Sequence, residues 1–382
     1  MIDRRFVLRS AAGALALTMA PRLAFARAAT ERRFVFIIQR GAADGLSIVA
    51  PVGDPAFAAQ RGALAQDFDG AAKLDGMFAL HPALATVGGL YKQGQALFAH
   101  AVASPYRDRS HFDGQNVLET GGAGAYQLRD GWLNRLLGVL PEEEARALAV
   151  AATIPMALRG PHKVSSYAAS NLPDAPSDLM QRVSMLYAGD AQLHALWEQA
   201  MATDALAAGI ADTSRNAAAT GALAAKLLAP ADGARIAMIE TTGWDTHAGQ
   251  RARLATQLKG LDAMVGALQQ GLGPLWSDTL VLVATEFGRT VAINGTGGTD
   301  HGTGSMAMLI GGAVKGGRVA ADWPGLKAAQ LYQGRDLRPT TQLDALIGGA
   351  VAAHFGVAPD RTMAALFPAS AKVAAIDGLI RT

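Results

Sequence analysis

The strongest evidence on the fold class is the stretch RRFVFIIQRGAADG, residues Arg32–Gly45. Its centre, Phe34–Ile38, is a continuous apolar run with no alternation of polar residues. Such a run is typical of a strand that is covered on both faces in a parallel sheet, whereas a half-exposed strand alternates apolar and polar residues. Glycines at positions 41 and 45 follow the run. We therefore predict a buried strand whose carboxyl end opens into a polar loop.

Similar apolar runs recur along the chain and alternate with helical patterns. Further strands are predicted in Ala96–Val102, Ala147–Gly160, Arg235–Ile239, Asp278–Thr290 and Ser305–Gly312. Helices are predicted in Pro82–Lys92, Arg251–Leu272 and Thr340–Gly356. Strands that alternate with helices favour right-handed crossovers and a parallel arrangement. The predicted fold class is α/β, with a mostly parallel central sheet flanked by helices, in one domain over residues 27–382 that has a helical insert around residues 175–230.

The first 26 residues have the organisation of an export signal. Arg4 and Arg5 form a basic pair, an apolar run follows at Ala11–Ala20, and Ala24-Phe25-Ala26 resembles a cleavage site. The apolar run is shorter than the ~20 residues that a membrane-spanning helix needs. We expect a twin-arginine signal peptide over residues 1–26, recognition by the twin-arginine export machinery, and a periplasmic mature protein. The alternative is an amphipathic N-terminal helix of the mature chain.

Charge and composition exclude several classes of partner. Residues 1–26 contain four arginines and one aspartate, so the formal charge of +2 for the whole chain becomes −1 once they are removed. No basic cluster remains that would indicate nucleic-acid binding, and no later apolar run is long enough to span a membrane. The chain has no cysteine, so its fold requires no disulfide.

Polar residues gather where the predicted strands end. Ligands of open α/β sheets bind outside the carboxyl ends of the strands. Carboxylates, imidazoles, arginines and one serine fall there, namely Arg40, Asp44, Arg109, Ser110, His111, Glu240, Asp245, His247, Glu286, Arg289, Asp300 and His301. Carboxylates and imidazoles are the side chains that zinc, manganese or magnesium sites use. The other histidines fit ordinary structural positions.

At this point the residues show a resemblance to a family. The stretches RGAADGLS, DRSHFDGQNVLETG, GWDTH, TEFGRT and DHGTGS resemble the twin-arginine-exported DUF1501 family, which is related to sulfatases and the alkaline phosphatase superfamily. These stretches extend from residue 40 to beyond residue 300, so the resemblance covers most of the mature chain. It implies an alkaline phosphatase-like domain that hydrolyses phosphate or sulfate esters with the help of a metal ion.

The superfamily pattern implies a role for each matching residue. Ser110, which precedes NVLETG, takes the place of the nucleophile that opens a helix. Glu240 and Asp245 keep the expected spacing after a middle strand, and His247 follows them. His301 stands in the surroundings of the last conserved ligand. The resemblance thus implies one metal site on Asp245, His247 and His301, with Glu240 as a further acidic ligand.

Two positions depart from the superfamily pattern. The first strand normally ends in a metal-binding aspartate, but this chain has Arg40 there, and Asp44 follows later. The strand near residue 285 normally ends in Asp-His, but this chain has Glu286 and a phenylalanine. Both changes affect a second metal site, for which Asp44 and Glu286 remain the available ligands. The resemblance therefore implies about one divalent ion, whether zinc, manganese, calcium or magnesium, and arginines in place of the second. Arg40, Arg109 or Arg289 would hold a tetrahedral anion by paired hydrogen bonds.

Each assignment has an alternative. Ser110 could only cap the following helix. Arg40 could form a structural ion pair with Glu286, and Asp245 with His247 could be an ordinary loop pair. The expected function is hydrolysis of a small anionic ester or glycan, with Ser110, Arg40 and Arg289 as catalytic groups. The alternative is a periplasmic binding or assembly protein on a degraded hydrolase scaffold, and a third hypothesis is another metal-dependent reaction such as isomerisation.

Overall fold

The computed structural model of the chain describes residues 32–141, 146–168, 176–190, 193–198, 200, 201, 216–231 and 233–381. The predicted signal peptide, residues 1–26, lies outside these residues. Parts of the predicted helical insert also lie outside them. Both assignments therefore stay predictions.

The secondary structure alternates along most of the described chain. The strands are β1 (Arg33–Gln39), β2 (Val49–Ala50), β3 (Ala79–Leu80), β4 (Ala96–Ala103), β5 (Ala147–Val150), β6 (Val164–Ser166), β7 (Ile236–Thr241), β8 (Thr279–Ala284), β9 (Ser305–Ile310), β10 (Arg318–Ala320) and β11 (Thr341–Gln342). The α-helices are α1 (Gly45–Ile48), α2 (Phe57–Arg61), α3 (Ala85–Lys92), α4 (His111–Thr120), α5 (Trp132–Leu137), α6 (Ser177–Tyr187), α7 (Ala217–Leu228), α8 (Gln250–Leu272), α9 (Leu343–Phe355) and α10 (Pro359–Leu366).

The predicted fold class is confirmed by the central sheet. Its strand order is β10-β4-β9-β8-β1-β7-β5-β6, with β11 paired to β4. β1 lies in the middle and is parallel to both β7 and β8. β9 is the exception in direction, because it runs antiparallel to both of its neighbours, β8 and β4. The residues that precede β9 therefore lie at the edge of the sheet where β8 ends.

The two faces of β1 explain its unbroken apolar run. All seven residues of β1 are buried. Val35 and Ile37 pack into one apolar cluster with leucines of α7 and α8. Phe34, Phe36 and Ile38 pack into a second cluster on the other face, together with residues of α5, α9 and α10. Helices thus cover both faces of the sheet, as the sequence predicted.

The described part of the predicted insert contains two helices with different surroundings. α7 packs against α8, and its Leu223 and Leu228 are fully buried. α6 instead leaves Met185 and Leu186 exposed. No helix among the described residues is both long and apolar enough to cross a membrane.

Candidate metal centre

Several elements bring polar side chains to one edge of the sheet. β1, β7 and β8 run parallel, and their carboxyl ends are followed by Arg40, Asp245 and Glu286. Because β9 is antiparallel to β8, its amino end lies at the same edge, so that His301 meets residues that follow strands. α4, which comes after β4, begins there with His111. The polar residues that were predicted to gather at the ends of the strands therefore form a cluster at one edge of the sheet.

Three imidazoles at this edge share one hydrogen-bonding pattern. The Nδ1 atoms of His111, His247 and His301 each face an oxygen that accepts hydrogen bonds. An Nδ1 that donates to such an oxygen leaves the lone pair of the ring on Nε2, which is the arrangement found for histidines that bind metals through Nε2. The acceptors are Glu286 Oε1 for His111 at 2.8 Å, Asp300 Oδ1 for His247 at 3.2 Å, and the Arg109 carbonyl oxygen for His301 at 3.0 Å.

The three Nε2 atoms turn toward one carboxylate, that of Asp245. His247 Nε2 lies 3.0 Å from His301 Nε2. Asp245 Oδ1 lies 3.1 Å from His247 Nε2 and 3.4 Å from His301 Nε2. Asp245 Oδ2 lies 3.5 Å from His111 Nε2. Lone pairs and a carboxylate at such distances repel one another unless a proton or a cation lies among them.

The donor set fits a metal ion. Potential ligand atoms of His111, Asp245 and His301 lie within 4.8 Å of one another. The ligand atoms of a tetrahedral zinc ion are separated by roughly 3.3 Å, given metal–ligand bonds of about 2.0 Å. His111 Nε2 is buried and is among the described polar atoms that have no hydrogen-bond partner. A donor set rich in imidazole favours zinc or a neighbouring transition metal over calcium or magnesium, which prefer oxygen ligands.

Asp245 is held by Arg289 from the side of the protein. Arg289 Nη1 donates to Asp245 Oδ1 at 2.6 Å, while its Nε and Nη2 donate to the hydroxyl and carbonyl oxygens of Thr299. Burial tends to raise the pKa of Asp245, but the hydrogen bond and charge of Arg289 outweigh it and keep that pKa below the ordinary value. The Arg289 side chain is fully buried, and its described contacts are with protein groups, so it orients Asp245.

Glu286 is a buried carboxylate surrounded by donors. Its Oε1 accepts from the Gly41 N–H at 2.8 Å, from Gln115 Nε2 at 3.0 Å and from His111 Nδ1 at 2.8 Å. Thr285 donates to its Oε2 at 2.9 Å. Burial tends to raise the pKa of Glu286, but these hydrogen bonds, with His111 first, lower it below the ordinary value. The structure thus brings Glu286 to the centre as the partner of an imidazole.

Arg40 directly follows β1 and lies among acidic side chains. Its Nε donates to Glu240 Oε1 at 2.9 Å, its Nη2 lies 2.8 Å from Glu119 Oε1, and its Nη1 donates to Gln115 Oε1 at 2.8 Å. Burial tends to lower the pKa of Arg40, but the charges of Glu119 and Glu240 raise it above the ordinary value. The alternative prediction of an ion pair with Glu286 is wrong about the partner. Glu240, predicted as a metal ligand, is placed against this guanidinium.

Ser110 and Arg109 form the junction before α4. Ser110 is the N-cap residue, but its side chain makes no capping hydrogen bond. The capping alternative therefore accounts for its position and not for its hydroxyl group. Arg109 has φ +60°, a backbone conformation that is uncommon for a residue other than glycine. Two of its guanidinium nitrogens donate to Asp336, and its carbonyl oxygen faces His301. Contacts of both the side chain and the backbone thus hold this uncommon conformation in place.

Asp44 occupies a separate buried network. It caps α1 through the Leu46 N–H and accepts from the Ser47 hydroxyl at 2.9 Å. Arg61 and Gln250 also donate to its Oδ2. The carboxylate is thus surrounded by donors, and it is not part of the cluster of described side chains that could hold a metal ion.

Sequence reasoning placed His111 at the correct edge but gave it no role. The signal that could have found it is its position, directly after the proposed nucleophile at the start of a helix. Gln115 and Glu119 follow at intervals of four residues, so they lie on the same side of α4 as His111. A helical plot of this segment would have grouped all three.

The comparison with protein families now identifies the group. Residues 31–366 match the family described as "Protein of unknown function (DUF1501)". The chain belongs to the DUF1501 family. The predicted family is therefore confirmed, and no curated protein matches the sequence.

The chain is also weakly similar to several solved structures, which differ strongly from it in sequence. One is the C-terminal periplasmic domain of EcEptC from Escherichia coli in complex with Zn, at 7% identity and TM-score 0.39 over 74% of this chain and 73% of that chain. Another is the lipoteichoic acid synthase LtaP from Listeria monocytogenes, at 9% identity and TM-score 0.38 over 87% and 73%. A third is the alkaline phosphatase from the Antarctic bacterium TAB5, at 11% identity and TM-score 0.33 over 73% and 91%.

Proposed function

We propose that this DUF1501 chain is an exported hydrolase of phosphate or sulfate esters that uses one divalent metal ion. The observation that carries the proposal is the set of three imidazoles whose Nδ1 atoms are occupied and whose Nε2 atoms turn toward Asp245. Proteins arrange histidines in this way to hold a metal ion. Asp245, His247 and His301 would be its ligands.

A divalent cation at this place would supply positive charge that stabilises the negative charge developing on an ester oxygen. Ser110 takes the nucleophile's place in the superfamily pattern, and its side chain makes no capping hydrogen bond, so we assign it as the nucleophile. Its oxygen would form the new bond to phosphorus or sulfur as the bond to the ester oxygen breaks, and the hydroxyl proton would go to the departing alcohol. Water would then cleave the serine ester and release phosphate or sulfate. The amino end of α4 favours an anion beside Ser110.

Arg40 and Arg289, the two arginines predicted to be catalytic, are both bound to other groups of the protein. We predicted that Arg40 and Arg289 would clamp the anion, but the donors of Arg289 are occupied by Asp245 and Thr299. Arg40 is likewise paired with acidic side chains. The proposal therefore gives both guanidinium groups the task of orienting carboxylates and amides around the centre.

The remaining parts of the proposal concern location and substrate. The twin-arginine pattern of residues 1–26 supports export to the periplasm, and the mature chain from residue 27 would be a single alkaline phosphatase-like domain with its helical insert. The side chains of Asp245, His247 and Asp300 are 42%, 44% and 56% exposed, which leaves one side of the centre open to a substrate. A small anionic ester or an anionic glycan is the substrate class that we propose.

The test measures metal and turnover together. We expect the exported full-length chain to contain about one metal ion by elemental mass spectrometry and to hydrolyse a p-nitrophenyl phosphate or sulfate. Ser110→Ala should keep the metal and lose turnover, whereas His301→Ala should lose both. His162→Ala, at an exposed imidazole, is the matched control. A metal-free wild-type protein, or full turnover by Ser110→Ala, would contradict the proposal.

The altered second metal site, where Arg40 pairs with acidic side chains and Glu286 binds an imidazole, favours a second candidate, a non-catalytic binding or assembly protein. Such a protein would hold an anionic glycan or a partner without cleaving it. Under this alternative the wild-type chain binds a sulfated or phosphorylated oligosaccharide and shows no turnover on any ester. The same ester panel therefore separates the two candidates.

A further inference from the structure

We propose that His111 is a fourth ligand of the metal ion, and that Arg40 is a positioning residue that aims this imidazole through Gln115 and Glu286. The inference rests on the proposed metal centre and extends it to side chains that the motifs left without a role. It also replaces the assignment of Arg40 as a group that touches substrate.

The first step is the position of the His111 ring. Its Nε2 is buried without a hydrogen-bond partner and lies 3.5 Å from Asp245 Oδ2. Phe287 stacks on the ring with centroids 5.0 Å apart, and the His301 ring meets it edge-on at 4.3 Å. The neighbours therefore restrict the orientation of this ring. An unpartnered buried nitrogen is costly, and a metal ion among these ligand atoms would remove that cost.

The second step is the carboxylate behind the ring. Glu286 Oε1 accepts the His111 Nδ1–H, and its residue is 1% exposed. A buried carboxylate in this position fixes the imidazole tautomer and makes Nε2 a better donor to a metal. Replacing such a partner usually lowers metal affinity about 10–100-fold. Glu286 thus acts on the ion through His111.

The amide of Gln115 has to face in one direction. Its Nε2 donates to Glu286 at 3.0 Å, and its Oε1 accepts from Arg40 Nη1 at 2.8 Å. A rotated amide would set its oxygen against the carboxylate and its NH₂ group against the guanidinium. The orientation of Gln115 therefore depends on Arg40.

The last step is the anchoring of Arg40 itself. Its other nitrogens are paired with Glu119 on α4 and Glu240 on β7. The planar guanidinium reaches both carboxylates and the amide at once, which a lysine ammonium on one flexible stem cannot do. The charge of Arg40 is thus used within the protein, and its effect reaches the centre through Gln115.

The test uses the full-length chain after removal of metal with a chelator. Zinc affinity is measured by competition with a chromophoric chelator, and the cobalt-substituted protein gives an absorption spectrum that reports the coordination number and geometry of the ion. His111→Ala should weaken zinc binding by at least about 100-fold, and Gln115→Leu and Arg40→Lys, which act through Glu286, by about 10-fold, each with a changed cobalt spectrum. Arg135→Lys is the matched control, because Arg135 is also part-buried and binds a carboxylate but contacts the far end of α4. Thermal melts show which variants are folded.

Each result supports or overturns the inference. If the wild-type chain binds zinc and folded His111→Ala binds it equally tightly with the same cobalt spectrum, His111 is not a ligand. If Gln115→Leu and Arg40→Lys keep wild-type zinc affinity and only raise KM for an ester, Arg40 acts on substrate and the positioning role is wrong. If the wild-type chain itself binds neither zinc nor cobalt, the proposed function fails, and this inference with it. Losses in the three variants, with none in Arg135→Lys, support it.

Discussion

Two buried arginines of this protein each bind an aspartate, yet the two pairs have different surroundings. Arg61 pairs with Asp44 and Arg289 pairs with Asp245, and both arginine side chains are fully buried. The Asp44 side chain is 1% exposed, whereas that of Asp245 is 42% exposed. Both aspartates were predicted from the sequence as metal ligands. Their residue types alone therefore do not distinguish a structural ion pair from a candidate metal site.

The balance of donors and acceptors distinguishes them. Around Asp44 the neighbours are donors, so the carboxylate is satisfied by the protein. Among the described residues, Arg289 donates to Asp245, and the Nε2 atoms of His111, His247 and His301 lie on its other sides. A surplus of acceptors requires a proton or a cation among them, and a balanced set requires neither.

The largest loss of stability is expected at the buried pair of Arg61 and Asp44. Asp44→Ala leaves the Arg61 charge buried without its partner, which typically costs about 3–5 kcal/mol of unfolding free energy. Urea unfolding followed by circular dichroism measures it. The folded fraction should still bind one metal ion per chain. A variant of normal stability that has lost its metal would instead make Asp44 a ligand, and the distinction between the two pairs would fail.

The pair of Arg289 and the exposed Asp245 should instead lose metal affinity more than stability. Asp245→Asn keeps a hydrogen-bond acceptor for Arg289 but removes the charged ligand. We expect zinc affinity to fall by more than about 100-fold, since losing a partner of a ligand alone costs about 10–100-fold. The unfolding free energy should fall by less than for Asp44→Ala, by about 1–2 kcal/mol. Chelator competition and urea unfolding on the same sample compare the two losses, and unchanged zinc binding would exclude Asp245 as a ligand.

A third aspartate shows what burial does without an arginine. Asp344, near the start of α9, is 4% exposed, accepts from the Ser370 hydroxyl, and has its pKa raised by burial to about 6. The folded state thus favours the protonated form, so stability is greatest below the unfolded pKa of about 3.9 and falls as pH rises through about 6. Asp344→Asn should stabilise the protein by about 1–3 kcal/mol at pH 7.5 and by little at pH 4. Urea unfolding at both values checks this, and an equal effect at the two would contradict the shift.

The smallest effect is expected at the rim of the open centre. Asp300→Asn removes the charge that accepts from His247 Nδ1, on a side chain that is 56% exposed. Zinc affinity should fall by about 10-fold or less. Stability should change by no more than about 0.5 kcal/mol, because the position is at the surface. A loss as large as that of Asp245→Asn would show that Asp300 contacts the ion directly.

The sequence predicted the parts of the fold that depend on local pattern. The unbroken apolar run of β1 indicated a strand covered on both faces, and the leucine spacing of α8 indicated a helix, and both are present. The direction of β9 could not be read from SMAMLIGG, because an apolar run looks the same in either direction. That direction is what brings His301 to the edge where Asp245 lies.

The partners of the charged residues were beyond sequence reasoning for a similar reason. Arg40 is separated by 200 residues from Glu240 and by 75 from Gln115. No spacing rule connects positions so far apart. The partner of Asp44 was not predicted either, because Arg61 lies on α2 and the loop motif that contains Asp44 does not include it. What could be predicted is the edge, and what could not is which charge each carboxylate would meet there.

The long separations around the centre also affect when a metal ion could be taken up. The hydrogen bond between His301 and the Arg109 carbonyl joins positions 192 residues apart, and the contact between His111 and Glu286 spans 175. Bringing these imidazoles together before the strands pair would require closing loops of that length. We therefore expect an ion to add its binding energy mainly after the sheet has formed. A chain that crosses a membrane after folding would carry a loaded centre with it, whereas one that crosses unfolded would have to acquire its ion on the far side.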